Sequence, residues 1–247
     1  MSISVIVSYC SLDKRFLTPL IQEIKKFSDN IIFVYYDKLL NGNEEDTAHL
    51  EEHLKIFPEI ATLQLNFTNE FPPRYYHNLA RWRGMEMAKY DNLLFIDGDE
   101  IPEGDILKDI LDSNYLDQYD AADFQCYWYF RSANNQATTT EHCALFVKKS
   151  TVTKDLMFTN AERWSFTNLP GINYGKLICT NQGPFFHHFS WVRTKEEMLT
   201  KVSAWGHKFD RDWNKLIKQE FLHPFNGKDF VHGYSYKQVA DKFNLGL

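Results

Sequence analysis

Over the first hundred residues, short apolar runs alternate with stretches in which apolar positions recur at helical spacing. Residues 3–8 alternate and are rich in β-branched side chains, which predicts a first strand. Leu12, Phe16, Leu17, Leu20, Ile21, Ile24 and Phe27 then follow a helical period, with Ser11 placed as its N-cap. Asp29-Asn30 breaks that pattern, and residues 31–36 predict a second strand ending at Asp37. After a turn at Asn41-Gly42-Asn43, Leu50, Leu54 and Phe57 mark a helix that stops before Pro58, and residues 60–65 predict a third strand. A loop containing Pro72-Pro73 leads to a helix over about 76–89, with Leu79, Trp82, Met85 and Ala88 on one side, and then to the apolar run 93–96. Strands separated by helices need right-handed crossovers, so this half predicts an α/β fold: a mostly parallel sheet with helices on both faces.

The second half changes character. Ile106, Leu107, Ile110 and Leu111 predict one more helix, and residues 122–130 and 142–147 read as strands. The polar stretch 132–140 between them predicts a hairpin or a mobile loop. Residues 151–182 are loop-rich and aromatic, the composition of a substrate lid or acceptor wall. A last strand over 183–191 leads into a helical C-terminal tail, with helices over 195–207 and 210–222. No repeat or low-complexity linker divides the chain, which predicts one domain.

The candidate chemistry begins where the fourth apolar run empties into Asp97-Gly98-Asp99-Glu100. In open α/β sheets ligands sit at the carboxyl ends of strands. Two carboxylates one residue apart at such an end, in a chain without a phosphate-cradling Gly-rich loop, suit a phosphate compound held through Mn²⁺ or Mg²⁺. A calcium loop of the EF-hand type does not fit, because Ile101 and Pro102 stand where further oxygen ligands and a glycine are needed. An imidazole could complete a transition-metal site, and His187 and His188 are the candidates; on a strand they point to opposite faces, so only one can serve. Arg81 and Arg83, shortly before the acidic strand, could pair with a diphosphate. A transfer to a hydroxyl also needs a carboxylate base, for which Glu162 is the first candidate, with Glu141 and Asp155 as alternatives.

Composition narrows the field. The 247 residues are 44% hydrophobic and 16% aromatic, enough for a sizeable core. Several aromatics stand beside polar residues, as in Tyr127-Trp128-Tyr129-Phe130 and Arg163-Trp164, and such mixtures serve carbohydrate stacking as readily as core packing. A net charge of −6 argues against a nucleic-acid partner, which normally meets a basic face. The four cysteines are scattered without a CxxC pair, which favours a reducing compartment. A start without a basic leader, and no apolar stretch of roughly 20 residues, predict a soluble, cytoplasmic protein with no transmembrane segment.

The order of elements together with Ile3-Ser-Val-Ile-Val-Ser-Tyr9, Asp37, Asn78-Leu-Ala-Arg81-Trp-Arg-Gly84 and Leu93-Leu-Phe-Ile-Asp97-Gly-Asp99 resembles the GT-A glycosyltransferases of family 2. The run Asp97-Gly-Asp-Glu-Ile-Pro102, with His188-Phe-Ser-Trp191 and a following helix carrying Lys201 and His207, also resembles family 17, the bisecting N-acetylglucosaminyltransferases. The resemblance implies a GT-A fold and a metal-dependent, inverting transferase that takes a nucleoside-diphosphate sugar to a glycan or other hydroxyl acceptor. It implies that Ser8, Tyr9, Asp37, Arg81 and Asp97 contact the nucleotide, and that Asp99 holds the metal with His188. Residues 1–104 would then be the nucleotide-sugar half, 105–192 the acceptor and metal half, and 193–247 the helical extension. Two departures stand out: no Asp-Asp/Ser cluster follows Asp37, and no Glu-Asp pair supplies the base. The rival enzyme is a haloacid-dehalogenase-like phosphatase with an aspartyl nucleophile, although three βα units precede the motif here. The non-enzymatic rival is a carbohydrate-binding protein built on the aromatic second half.

Overall fold

The computed structural model describes residues 1–159, 162–167, 169–204 and 208–247, and of Glu162 the backbone alone. Strands β1 (Ser4–Ser8), β2 (Asn30–Tyr36), β3 (Ala61–Leu65) and β4 (Asn92–Asp97) lie parallel in the order β3-β2-β1-β4. The chain steps outward from β1 to β2 to β3, then crosses back to set β4 against the other side of β1. That reversal is a topological switch point, where two strand ends part and leave a crevice. Ser8 and Asp97 are register partners at the carboxyl ends of β1 and β4, so the acidic turn opens into that crevice.

The apolar positions explain the layers. Val5, Val7, Ile31 and Phe33 point to one face, where they bury Leu17, Leu20, Ile21 and Ile24 of α1 (Leu17–Ile24), Leu50 of α2 (Ala48–Ile56), and Leu107 and Leu111 of α4 (Gly104–Asp112). Ile6, Ile32 and Val34 point to the other face, against Tyr76, Ala80 and Met85 of α3 (Pro73–Met87) and Met157 of α5 (Lys154–Met157). Fully burying one such aliphatic side chain contributes about 1.5–3 kcal/mol. α3 lies close on the sheet because Gly84 has no Cβ; one there would stand 2.4 Å from Ile6 Cγ2.

Beyond β4 the sheet becomes mixed. β7 (Ser132–Lys148) pairs antiparallel with β4 and with β6 (Ala121–Phe130), and β9 (Phe186–Trp191) runs parallel to β6. Two short strands extend this part: β5 (Glu100–Pro102), antiparallel to β9, and β8 (Tyr174–Ile178), parallel to β6. α6 (Lys195–Ser203) and α7 (Trp213–Glu220) form the helical part of the tail, packing Met198, Val202, Trp213 and Ile217 against Trp128, Phe130 and Trp191 in a third core. The remainder returns to the sheet as β10 (Tyr236–Gln238), on the edge of β7. No helix among the described residues is long and apolar enough to cross a membrane.

The structure revises several expectations. Ser11 does not cap the first helix: residues Ser11–Phe16 form a 3₁₀ turn ahead of α1, and the Ser11 amide donates to Glu45 instead (2.9 Å). The polar stretch 132–140 is neither a loop nor mobile-loop sequence but the first half of β7; the hairpin turns at Arg131, which takes a left-handed φ of 61°. That half forms a strand because β6 covers one edge and β10 the other. The loop-rich expectation for 151–182 overlooked β8.

Candidate active site

A cavity of about 270 Å³ occupies the crevice beyond β1, β2 and β4. One end is largely apolar and aromatic, lined by Tyr9, Val34, Tyr36, Leu39, Leu40 and Ala80, with Lys38 and Glu45 beside them. The other holds Asp97, Asp99, Trp128, His188, Ser190 and Lys201. The buried hydroxyls of Ser8 and Tyr9, both on the wall, have no hydrogen-bond partner among the described residues. Unpaired buried polar groups are costly, and in a pocket wall they are natural contacts for a ligand.

The acids of the turn are held by cations, with Arg163 shared between Asp97 and Glu100. Asp97 Oδ1 accepts from Arg81 (2.9 Å), and its Oδ2 lies 3.4 Å from Arg163. Burial opposes the charged form of Asp97, but Arg163, Arg81 and His77 outweigh it and hold its pKa below the usual carboxylate range. Glu100 is fully buried and accepts both guanidinium nitrogens of Arg163 as well as the Asp97 amide (3.0 Å), so it fastens the turn from behind. Gly98 lets the turn pass close to Asp13, whose Cβ and carboxylate would lie 3.0 Å from an added methyl.

Asp99 is also buried, at 5% exposure. Its Oδ2 accepts from Lys201 Nζ (2.7 Å) and lies 3.4 Å from Arg193; its Oδ1 faces His188 Nε2 at 3.4 Å. Burial again disfavours the charge, yet Lys201, His188 and Arg193 keep the Asp99 pKa well below the ordinary range. For His188 burial acts against protonation, but Asp99, Cys126 and Glu100 prevail and push its pKa up to about 10. Arg193 also pairs with Asp13 (2.5 Å), a carboxyl that burial and the nearby Asp99 raise above its usual range despite Arg193 and Lys201. Lys201 is aimed by α6, whose N-terminus carries a reciprocal Thr194–Glu197 capping box, and is steadied by Ser190 Oγ (2.8 Å).

Of the residues singled out in the sequence, Ser8, Tyr9, Asp97, Asp99 and His188 meet in the cavity. The alternation of β9 sorts the two histidines: His188 faces the cavity, while His187 is buried on the opposite side between Tyr129 (2.7 Å) and Glu103 (3.1 Å). Arg81 does not line the cavity; it is buried behind Asp97. Arg83 pairs with Glu86 on the exposed side of α3. Asp37 is also absent from the wall, because its carboxylate accepts the Phe67 amide (2.7 Å) and ties β2 to the segment after β3. The side chain of Glu162 and all of His207 lie outside the described residues. Glu141 is engaged by the Tyr234 hydroxyl, and Asp155 is exposed in the first turn of α5. Among the aromatics, Trp128 lines the cavity, whereas Tyr129, Phe130 and Trp191 are core.

The expected Mn²⁺ or Mg²⁺ does not fit this donor set. Asp99 and His188 meet as foreseen, with Asp99 Oδ1 facing His188 Nε2 at 3.4 Å. The outer side of Asp99 is already taken by an ammonium. Among the described residues, no three His, Cys, Asp or Glu side chains come together as a metal site. The residues that sequence reasoning passed over as site groups are Asp13, Arg163 and Arg193; Lys201 had been marked only through its helix.

No family model matches the chain, and no curated protein matches it. Solved structures with a related chain path include S. aureus TarS 1–349 in complex with UDP-GlcNAc, 14% identical over 90% of this chain and 72% of that one, with a TM-score of 0.47. Others are the glycosyltransferase GlyE of Streptococcus pneumoniae TIGR4 (11% identity, 92% and 66% covered, TM-score 0.43) and HddC from Yersinia pseudotuberculosis complexed with GMP-PN (10%, 76% and 93%, TM-score 0.46). Likeness at these TM-scores decides nothing about chemistry, which rests instead on the geometry of the cavity.

Proposed function

We propose that this chain is a GT-A type glycosyltransferase that moves a hexosyl or N-acetylhexosaminyl group from a nucleoside-diphosphate sugar to an acceptor hydroxyl. The observation that carries this reading is the cavity at the switch point, rich in aromatic and apolar side chains beyond β1 and β2, where Lys38 and Glu45 also stand, and charged beyond β4. A nucleobase suits the end formed by Tyr9, Tyr36, Leu39 and Leu40, where the Ser8 and Tyr9 hydroxyls await partners. The diphosphate suits the end with Lys201 and His188, and Trp128 offers a ring to the sugar.

In the transfer the acceptor oxygen bonds to the anomeric carbon as the bond to the diphosphate breaks, with the electron pair leaving on the phosphate oxygen. The acceptor proton passes to a carboxylate base, for which Glu162 stays the candidate. Inversion follows from in-line displacement and rests on the family resemblance. The phosphatase reading fares worse: Asp97, its would-be nucleophile, stands on the fourth strand with its oxygens facing Arg81 and Arg163.

A thermal-shift panel of nucleoside mono- and diphosphates tests the reading. At a hundredfold excess over Kd a matching nucleoside diphosphate should raise Tm by about 5–10 °C. No shift with any of them, with or without Mn²⁺, would count against it.

A further inference from the structure

We infer, building on the nucleoside-diphosphate reading above, that the ammonium of Lys201 takes the place of a divalent cation and itself holds the donor's diphosphate. Asp99 Oδ2 receives Lys201 Nζ at 2.7 Å, with Arg193 at 3.4 Å on the same oxygen. A divalent ion bound to that oxygen at roughly 2.0–2.6 Å would stand against both cations. Among the described residues the acids are neutralised pair by pair: Asp13 with Arg193, Asp97 with Arg81, Glu100 with Arg163 and Asp99 with Lys201. These four pairs carry no net charge at the turn; Glu45, also on the cavity wall, is held by the Ser11 and Asp46 amides instead.

Lys201 is equipped for the role. Its side chain is 12% exposed and is part of the cavity lining, next to Asp99 and Ser190. An ammonium has three N–H donors. Two are spent on Asp99 and on Ser190 Oγ (2.8 Å), which fixes its position and leaves one for a phosphate oxygen. Asp99 in this arrangement is a positioning residue: it anchors the lysine and touches no substrate. When the bond between the anomeric carbon and the diphosphate breaks, the electron pair leaves on the β-phosphate oxygen beside this fixed positive charge. The acceptor's proton goes to the carboxylate base, so the lysine gains and loses no proton.

Calorimetric titration of the full chain with UDP, GDP, CDP and ADP, each in EDTA and again in Mn²⁺, tests this. The best of the four should bind with a Kd that differs less than about threefold between the two conditions. Lys201→Ala should weaken that binding in EDTA by about 10- to 100-fold, the equivalent of one charge-assisted hydrogen bond. Added Mn²⁺ should recover part of the loss, because Asp99 then has an open side. Wild-type binding that vanishes in EDTA and returns with Mn²⁺ would overturn the lysine's role while leaving the transferase reading intact. Unchanged affinity of Lys201→Ala in EDTA would overturn it as well. Failure of all four diphosphates in both conditions would sink both proposals.

Discussion

Glu100 and Arg163 stand 63 positions apart in the chain and meet at 0% and 5% exposure, with the guanidinium gripping both carboxylate oxygens. Removing one partner of such a pair leaves an uncompensated buried charge, which costs about 3–5 kcal/mol. Urea unfolding should therefore show Glu100→Ala and Arg163→Ala each destabilised by that order, and the double variant by clearly less than their sum. Additive losses would mean that the two side chains act separately. A second test uses His188. Its pKa, about 10 in the folded protein, lies above the ordinary value near 6.5, so its stabilising effect is full below about pH 6.5 and fades as pH rises towards 10. Between pH 7 and pH 10 the wild type should lose roughly 2–4 kcal/mol more than His188→Gln, measured by denaturant titration. Equal losses would show that the imidazolium is not held by Asp99. At this scale strand ends, a local signal, exposed Asp97 and Asp99, whereas alternation left His187 and His188 both open and only the family resemblance singled out His188. The sequence hid Asp13, Arg163 and Arg193, whose roles arise only from partners brought in by the fold, such as Arg193 and Asp13, 180 positions apart.

Helices and strands were legible in proportion to how far their own side chains decide them. β1, β2, β3 and β4, with the helices between them, bury one continuous face each and so carry a clear period. β5 and β10 are three residues each, too short to carry a period, and exist because β9 and β7 offer an edge. The polar half of β7 is likewise set by its neighbours, since Ser132 to Thr140 carry few apolar side chains of their own. One close element contact is α3 on β1, where Gly84 permits the approach. Gly84→Ala would place a methyl 2.4 Å from Ile6 Cγ2 and 3.0 Å from Val34 Cγ2, an overpacking cost of about 1–3 kcal/mol. Thermal unfolding should show a Tm lowered by several degrees; an unchanged Tm would mean that α3 can ride outward freely. Because α3 also carries Arg81, that shift should be felt at Asp97.

For the whole molecule, function follows from where the chain reverses. The parallel half supplies a crevice between β1 and β4, and the mixed half closes it with β9 and α6, which deliver His188, Ser190 and Lys201 to the acids of the turn. Neither half holds the site alone, so the candidate site joins residues from position 8 to position 204. The most direct test of a sugar transfer at this site is release of nucleoside diphosphate from a panel of nucleotide sugars. One or more donors should release their diphosphate with the wild type, and Asp99→Asn, which removes the charge that anchors Lys201, should slow that release by about 10-fold or more. Release of inorganic phosphate from simple phosphate esters, with every nucleotide sugar left intact, would contradict the account.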